Sequence, residues 1–187
     1  MKISKIVLIP LAIICLSFAF PDRFFSQCKV DKKMDSLKIS SSAFDEIGII
    51  PAKYTCDTEN VSPPLTWTKG PKKTMTYVLI CDDPDAPSKT WVHWVLFNIP
   101  SSLTSLSENL PKEKKILTGA VQGKNDFGTV GYSGPCPPSG IHRYYFKIYA
   151  LDCELTLDSD AEKANIEDAM KDHILAAGIL VGKYQRR

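Results

Sequence analysis

Hydrophobic positions along this chain recur mostly at strand spacing. Leu37-Lys38-Ile39-Ser40 alternates apolar and polar, and Ile47 to Tyr54 is a second β-prone run, broken by Pro51. The segment Asn60-Val61-Ser62-Pro63-Pro64 cannot be a regular strand, because two successive prolines remove ladder donors and fix φ. It predicts an extended loop leading into Leu65-Thr66-Trp67. The longest runs follow: Met75 to Cys81, Trp91 to Ile99 and Ile141 to Leu151 are nearly all apolar or aromatic. That pattern suits strands covered on both faces, and these three are the predicted core.

One segment has a helical period. Ala161 to Ala177 sets Ala164, Ala169, Ile174 and Leu175 on one stripe, with Glu162, Lys163, Glu167, Asp168 and Lys171 elsewhere. Asp158, Ser159 and Asp160 are candidate N-caps, Gly178 is the expected stop, and Ile179-Leu180-Val181 resumes an extended pattern. Strands dominate and no βαβ alternation occurs. The chain is therefore expected to be mainly β, an antiparallel β-sandwich with one or two peripheral helices.

The first residues stand apart from the fold. Lys2 and Lys5 precede an apolar run from Ile6 to Phe20, with Ser17 and Ala19 placed for a cut before Phe20. The run is shorter than the roughly 20 apolar residues of a spanning helix. Residues 1–19 are read as a signal peptide, 20–36 as a flexible lead-in and 37–187 as one domain of the size expected for a single core. This places the mature protein outside the cytoplasm, secreted or periplasmic; an N-terminal membrane anchor is the alternative. Bulky Ile14 before Cys15 argues against a lipoprotein site.

The cut changes the charge. Of 23 basic residues Lys2 and Lys5 are lost, so 21 remain against 21 acidic ones. A neutral chain of this kind carries no footprint for nucleic acid, and membrane contact is at most peripheral. Five cysteines remain: Cys28, Cys56, Cys81, Cys136 and Cys153. With no Cys-x-x-Cys and no histidine close to a cysteine pair, they match no zinc pattern. One or two disulfides are expected in an oxidising compartment, with at least one thiol left over. Cys81 and Cys153 end apolar runs and are read as buried, inert thiols.

Two loops gather the chemistry. Cys81-Asp82-Asp83-Pro84-Asp85-Ala86-Pro87 crowds three carboxylates into a stiffened turn, and His93 follows inside the aromatic run Trp91-Val92-His93-Trp94, where an imidazole needs a partner. The second loop, Gly128 to Arg143, has four glycines whose amides can approach a ligand closely. His142 and Tyr144 lie two apart at a strand start and share a face; Arg143 takes the other.

Asp83-Pro84-Asp85-Ala86-Pro87 with Trp91-Val92-His93-Trp94, followed by Gly131-Tyr132-Ser133-Gly134-Pro135-Cys136-Pro137-Pro138 with His142-Arg143-Tyr144, resembles the two signature regions of the phosphatidylethanolamine-binding proteins. The match is to the bacterial and archaeal, Raf-kinase-inhibitor-like branch. Tyr54-Thr55-Cys56, Asn60 to Leu65 and Tyr149-Ala150-Leu151-Asp152 extend it over Leu37 to Tyr184. The resemblance implies a β-sandwich with a pocket at one end for phosphate, phosphorylethanolamine or similar anions. It carries over Asp83, Asp85, His93, Gly134, Pro135, His142 and Tyr144 as ligand-binding positions, and a cis bond at Ala86-Pro87. Cys56 and Cys136, each in a loop adjoining that pocket, are expected to form a disulfide. An aspartate beside either histidine would raise that histidine's pKa. The short link Ser88 to Thr90 lacks the aromatic pocket-wall residue of animal members, and their longer C-terminal helical extension is missing. Both departures weaken the carry-over of lipid binding and kinase inhibition from them.

The function expected is non-enzymatic binding of a small anionic group, modulating a partner protein such as a kinase or a protease. No cofactor is implied, and monomer and dimer are equally compatible with the pattern. A secreted protease inhibitor is one alternative. A metal-dependent or acid–base hydrolase using His93, His142 and the aspartates is another, although no His-x-x-x-His spacing or Gly-x-Ser-x-Gly motif prepares it.

Overall fold

In the computed structural model, which describes residues 35–186, the three apolar runs lie side by side as the centre of one sheet. They are β4 (Thr76–Asp83), β5 (Trp91–Pro100) and β9 (His142–Leu151). The short strands β1 (Asp35–Ser36), β7 (Lys115–Ile116) and β8 (Ala120–Gln122) and the long β10 (Ile174–Tyr184) complete seven strands in the order β1-β10-β9-β4-β5-β8-β7. A second sheet pairs β2 (Ile39–Ser40), β3 (Leu65–Trp67) and β6 (Ser105–Leu106) in the order β2-β3-β6.

Strand period two sorts the core into two layers. Tyr77, Leu79 and Cys81 of β4 join Trp94 and Leu96 of β5 and Phe146 and Ile148 of β9 against Leu65, Trp67 and Leu106 of the small sheet. The intervening Val78, Ile80, Val95 and Phe97 face the other way, onto Ile166 and Met170 of α1 (Lys163–Met170), the one α-helix among the described residues. All eight residues of β4 are buried, as a strand sandwiched on both faces requires. Each fully buried Leu, Ile, Val or Phe side chain contributes about 1.5–3 kcal/mol of burial free energy. The fold is mainly β, and among the described residues no helix is long and apolar enough to cross a membrane.

Several expectations are corrected. The helical pattern of Ala161 to Ala177 yields a helix only over Lys163–Met170, capped by Glu162 and Asn165 in a reciprocal box rather than by Asp158, Ser159 or Asp160. From Ile174 onward the chain is β10, paired antiparallel with β9 from Leu151 back to His142. Gly178 is therefore no helix stop. It lies mid-strand, where an added Cβ would run into the Leu37 carbonyl. Ladder bonds to a fully formed neighbour outweigh a weak helical stripe. Ile47 to Tyr54 makes a single bridge, Ile49 to Lys183, and a 3₁₀ turn at Ala52–Tyr54 instead of a strand. Of the supposed flexible lead-in, Asp35 and Ser36 pair in parallel with β10. The rest of that segment and the signal-peptide reading fall outside the described residues.

Candidate functional site

Where β4 leaves the sheet, its pairing with β5 slips by one residue. Cys81 pairs with Trp94 but Asp82 with Val92, so His93 is the extra residue of a bulge. Bulges re-aim side chains at sheet ends. Here the bulge sets His93 against Tyr144, at the edge of the layer that faces the small sheet, and into a pocket of about 270 Å3 lined by Asp83, Ala86, Pro87, Ser88, Trp91, His93, Phe127, Cys136, Pro138 and His142. Larger hollows lie elsewhere, about 740 Å3 beside Asn98 and Lys114, about 530 Å3 beside Ile50 and Tyr184 and about 370 Å3 beside Lys69 and Tyr77, and none of these holds either histidine.

His142 is the first residue of β9 and points inward, as its alternation with exposed Arg143 requires. It is 6% exposed, and its Nδ1 lies 2.7 Å from Asp83 Oδ2. The other Asp83 oxygen accepts the Asp85 N–H at 2.8 Å, closing an Asx turn. His93 Nδ1 lies 2.6 Å from the Ser133 carbonyl, so this nitrogen carries the proton and donates, and Ser133 N–H returns a bond to the His93 carbonyl at 3.0 Å. Both imidazoles are thus oriented through Nδ1, leaving Nε2 for a ligand. Aromatic edges pack His93: Tyr144 at 5.2 Å and Phe127 at 5.4 Å between ring centres, with Trp91 against Phe127 at 5.5 Å.

Electrostatics differ from the sequence expectation at His93. Burial lowers its pKa and outweighs the Ser133 bond and the charge of Asp83, which act the other way. Desolvation wins, so the ring is neutral at pH 7. Burial likewise pushes the Tyr144 phenol far up, and its hydroxyl makes no hydrogen bond.

The predicted residues divide. Asp83, His93 and His142 converge on the pocket. Asp85 does not: its carboxylate takes a two-pronged bond from Arg143 (Nε 2.8 Å, Nη2 2.7 Å) and a third from the Arg143 N–H at 2.9 Å. Those bonds hold it at a pKa of about 2 and face it outward. Gly134 and Pro135 act from behind the wall. Gly134 N–H donates to Asn60 Oδ1 at 2.7 Å, the Pro135 carbonyl accepts from Cys56 N–H at 3.0 Å, and an added Cβ at Gly134 would strike the Tyr54 carbonyl. The Cys56–Cys136 disulfide closes the same junction. The glycine amide is spent on the scaffold rather than offered to an anion. Tyr144 backs His93 instead of lining the cavity. Pro87 follows a trans bond, since the described residues contain no cis peptide. Cys81 is fully buried, whereas Cys153 is only partly so.

Sequence reasoning missed Trp91 and Phe127 as walls. Phe127 is held by Asn125, a buried amide whose Oδ1 accepts from Phe127 N–H (3.0 Å) and Thr129 N–H (3.1 Å) while its Nδ2 donates to the Gly131 carbonyl at 2.9 Å. The signal was present: Asn125-Asp126-Phe127-Gly128 is an Asx-turn sequence that presents its third residue.

Comparison with known proteins fits this geometry. Residues 40–185 match the family model for phosphatidylethanolamine-binding protein. A UPF0098 protein of Methanothermobacter thermautotrophicus is 52% identical over 150 residues, covering 80% of this chain and 99% of its own. Among solved structures, a phosphatidylethanolamine-binding protein homologue from Chlamydia trachomatis superposes with a TM-score of 0.75 at 37% identity, covering 82% of this chain and 99% of that one. YbcL of E. coli, described as a member of the mammalian family, gives 0.76 at 31%, covering 81% and 99%. The chain belongs to the phosphatidylethanolamine-binding protein family, in company with bacterial and archaeal members.

Proposed function

We propose that the pocket binds a small anionic group, phosphate or a phosphorylethanolamine-like headgroup, without chemical turnover, and that its occupancy modulates a partner protein, a kinase or a protease, outside the cytoplasm. The observation that carries this reading is the buried His142–Asp83 pair at 2.7 Å on the pocket wall. Asp83 fixes the His142 ring through Nδ1, so a proton on Nε2 would be aimed at a ligand oxygen. Neutral His93 offers its own Nε2 as an acceptor, suited to a protonated phosphate oxygen or an ammonium. The aromatic edges of Trp91 and Phe127 exclude water from one side, which strengthens such bonds. A hydrolytic reading has less support, because Asp85 is held by Arg143 and Asp82 by Lys147 and Lys163, which leaves Asp83 as the one carboxylate of the loop at the pocket. The Cys56–Cys136 disulfide supports an oxidising compartment.

Titration calorimetry with phosphate and with phosphorylethanolamine tests the reading. A charge-assisted hydrogen bond contributes about 1.5–3 kcal/mol, so His142→Ala should weaken either ligand by roughly 10- to 100-fold. Unchanged affinity, with the fold intact by circular dichroism, would remove His142 from the site and leave family membership as a statement about fold.

A further inference from the structure

The other end of the β9–β10 pairing carries a second cluster of donors. β9 has ten residues and begins at His142, so its far end lies about 30 Å from the pocket at ~3.3 Å per residue. There the chain turns through Asp152 and Cys153, and after α1 it returns through His173 into β10. Separate bonds hold the three backbones. Asp152 N–H donates to the His173 carbonyl at 3.1 Å, His173 N–H to the Met170 carbonyl at 3.0 Å, and Thr76 Oγ1 to the Cys153 carbonyl at 2.6 Å. Their side chains converge, with one carboxylate oxygen, one thiol sulfur and one imidazole nitrogen all within 4.8 Å of one another. Asp152 Oδ1 and His173 Nδ1 are 2.8 Å apart, and Cys153 is in no disulfide.

We propose that Asp152, Cys153 and His173 form a binding site for a divalent transition cation of the zinc class, with solvent as fourth ligand. Thiolate, imidazole and carboxylate together are the donor set of tetrahedral zinc, whereas calcium and magnesium take oxygen donors in larger number. Metal–ligand bonds of about 2.0–2.3 Å place ligand atoms roughly 3.5 Å apart in a tetrahedron. Closing from 4.8 Å needs only side-chain rotation on backbones already fixed. The cation takes the place of the proton between Asp152 and His173, which passes through solvent to His173 Nε2 so that the ring stays neutral, and it displaces the thiol proton, which is released to solvent. The side chains of His173 and Asp152 are 47% and 36% exposed, which leaves an entry path and room for the water ligand. Bound metal would pin the end of β9 to the start of β10. The site is independent of the pocket and of the anion reading.

The test uses the full exported chain, stripped with chelator and dialysed, then titrated with Zn2+ by calorimetry and with Co2+ by absorption. One equivalent should bind, Co2+ should produce the near-ultraviolet thiolate-to-cobalt band, and Zn2+ should raise the melting temperature. Cys153→Ser should lose the band and the thermal shift, and His173→Gln should lose stoichiometric binding; both positions are at least partly exposed, so the fold should be kept, as circular dichroism will check. Cys28→Ser, a control at a cysteine outside the described residues, should retain everything. Absence of stoichiometric binding to the wild type, or a band that survives Cys153→Ser, overturns the proposal.

Discussion

Asp83 and Asp85 stand two residues apart in one loop, and each takes its partner from the consecutive residues His142 and Arg143, yet the two pairs end in opposite environments. The Asp83–His142 pair is interior, with side chains 4% and 8% exposed; the Asp85–Arg143 pair lies outside, at 26% and 49%. Strand alternation at the start of β9 makes this division, since consecutive side chains leave a strand on opposite faces. The difference teaches that a run of carboxylates is not one acidic site. Asp82 supplies a third case: buried beneath the other face, it takes Lys147 and Lys163 as partners. Three neighbouring aspartates thus do three jobs, and only Asp83 meets the pocket.

The comparison predicts that the interior pair depends on the surrounding scaffold and the outer pair does not. Replacing Cys56 and Cys136 together by alanine should have the largest effect, because the bridge joins loops 80 residues apart in sequence. Loss of a native disulfide costs about 2–5 kcal/mol, which urea unfolding would read, and phosphate affinity should fall with it as Ser133 and its His93 contact loosen. Equal stability of the bridged and unbridged chains would show that the wall needs no staple.

Asp83→Ala comes next. It strips His142 Nδ1 and the Asp85 N–H of their acceptor, and a buried donor left unsatisfied costs about 1–3 kcal/mol. Stability and phosphate binding should fall together. A stable Asp83→Ala protein that binds phosphate normally would dissolve the distinction between the two pairs.

The third prediction concerns pH. His93 has a folded pKa below its ordinary 6.5, so the unfolded chain takes up the proton more readily. Its contribution is complete above pH 6.5 and is lost as pH falls from there through the folded pKa. Urea midpoints measured from pH 7.5 down to 5 should therefore decline in wild type and decline less in His93→Gln. Identical profiles would mean that burial of this ring is not linked to stability.

The smallest effect belongs to the outer pair. Asp85→Asn should leave phosphate affinity unchanged and move the melting temperature by about 2 °C or less at pH 7, since exposed ion pairs are screened by solvent. The Asp85 pKa falls from 3.8 to about 2, so whatever it contributes is present above pH 3.8 and disappears as pH drops through 2. Acid titrations of the two proteins should converge below that point. A large loss of phosphate binding in Asp85→Asn would place this carboxylate in the site after all.

Much of this was legible in advance for identifiable reasons. The three long apolar runs suited central strands covered on both faces, which holds for β4, whereas β9 leaves one face partly open through Arg143, Tyr145, Lys147 and Tyr149; the inward His142 and Tyr144 with outward Arg143 follow from period two. The helix is shorter than its pattern predicts, because Ala161 to Ala177 has an acceptable stripe and nothing local announces that Ile174 will find β9 as an antiparallel neighbour. Phe127 and Trp91 were missed as pocket walls because aromatic residues near strands read first as core. Cys153 reads as an inert thiol, and its meeting with His173 is not legible, because the two sit at opposite ends of the connection through α1 and metal patterns show at short spacing.

By itself the sequence determined the mainly β class, the three central strands, the family and the two loops that carry the pocket, because each rests on local periodicity or on residues close together in the chain. Only the tertiary structure decided which aspartate faces the cavity, that the bulge aims His93 inward, that Gly134 serves the Tyr54 junction rather than a ligand, and where α1 yields to β10. Those outcomes depend on strand register and on loops brought together from distant positions. A one-residue slip between β4 and β5 leaves composition and motif unchanged, yet it gives His93 a different face, and with it a different chemistry.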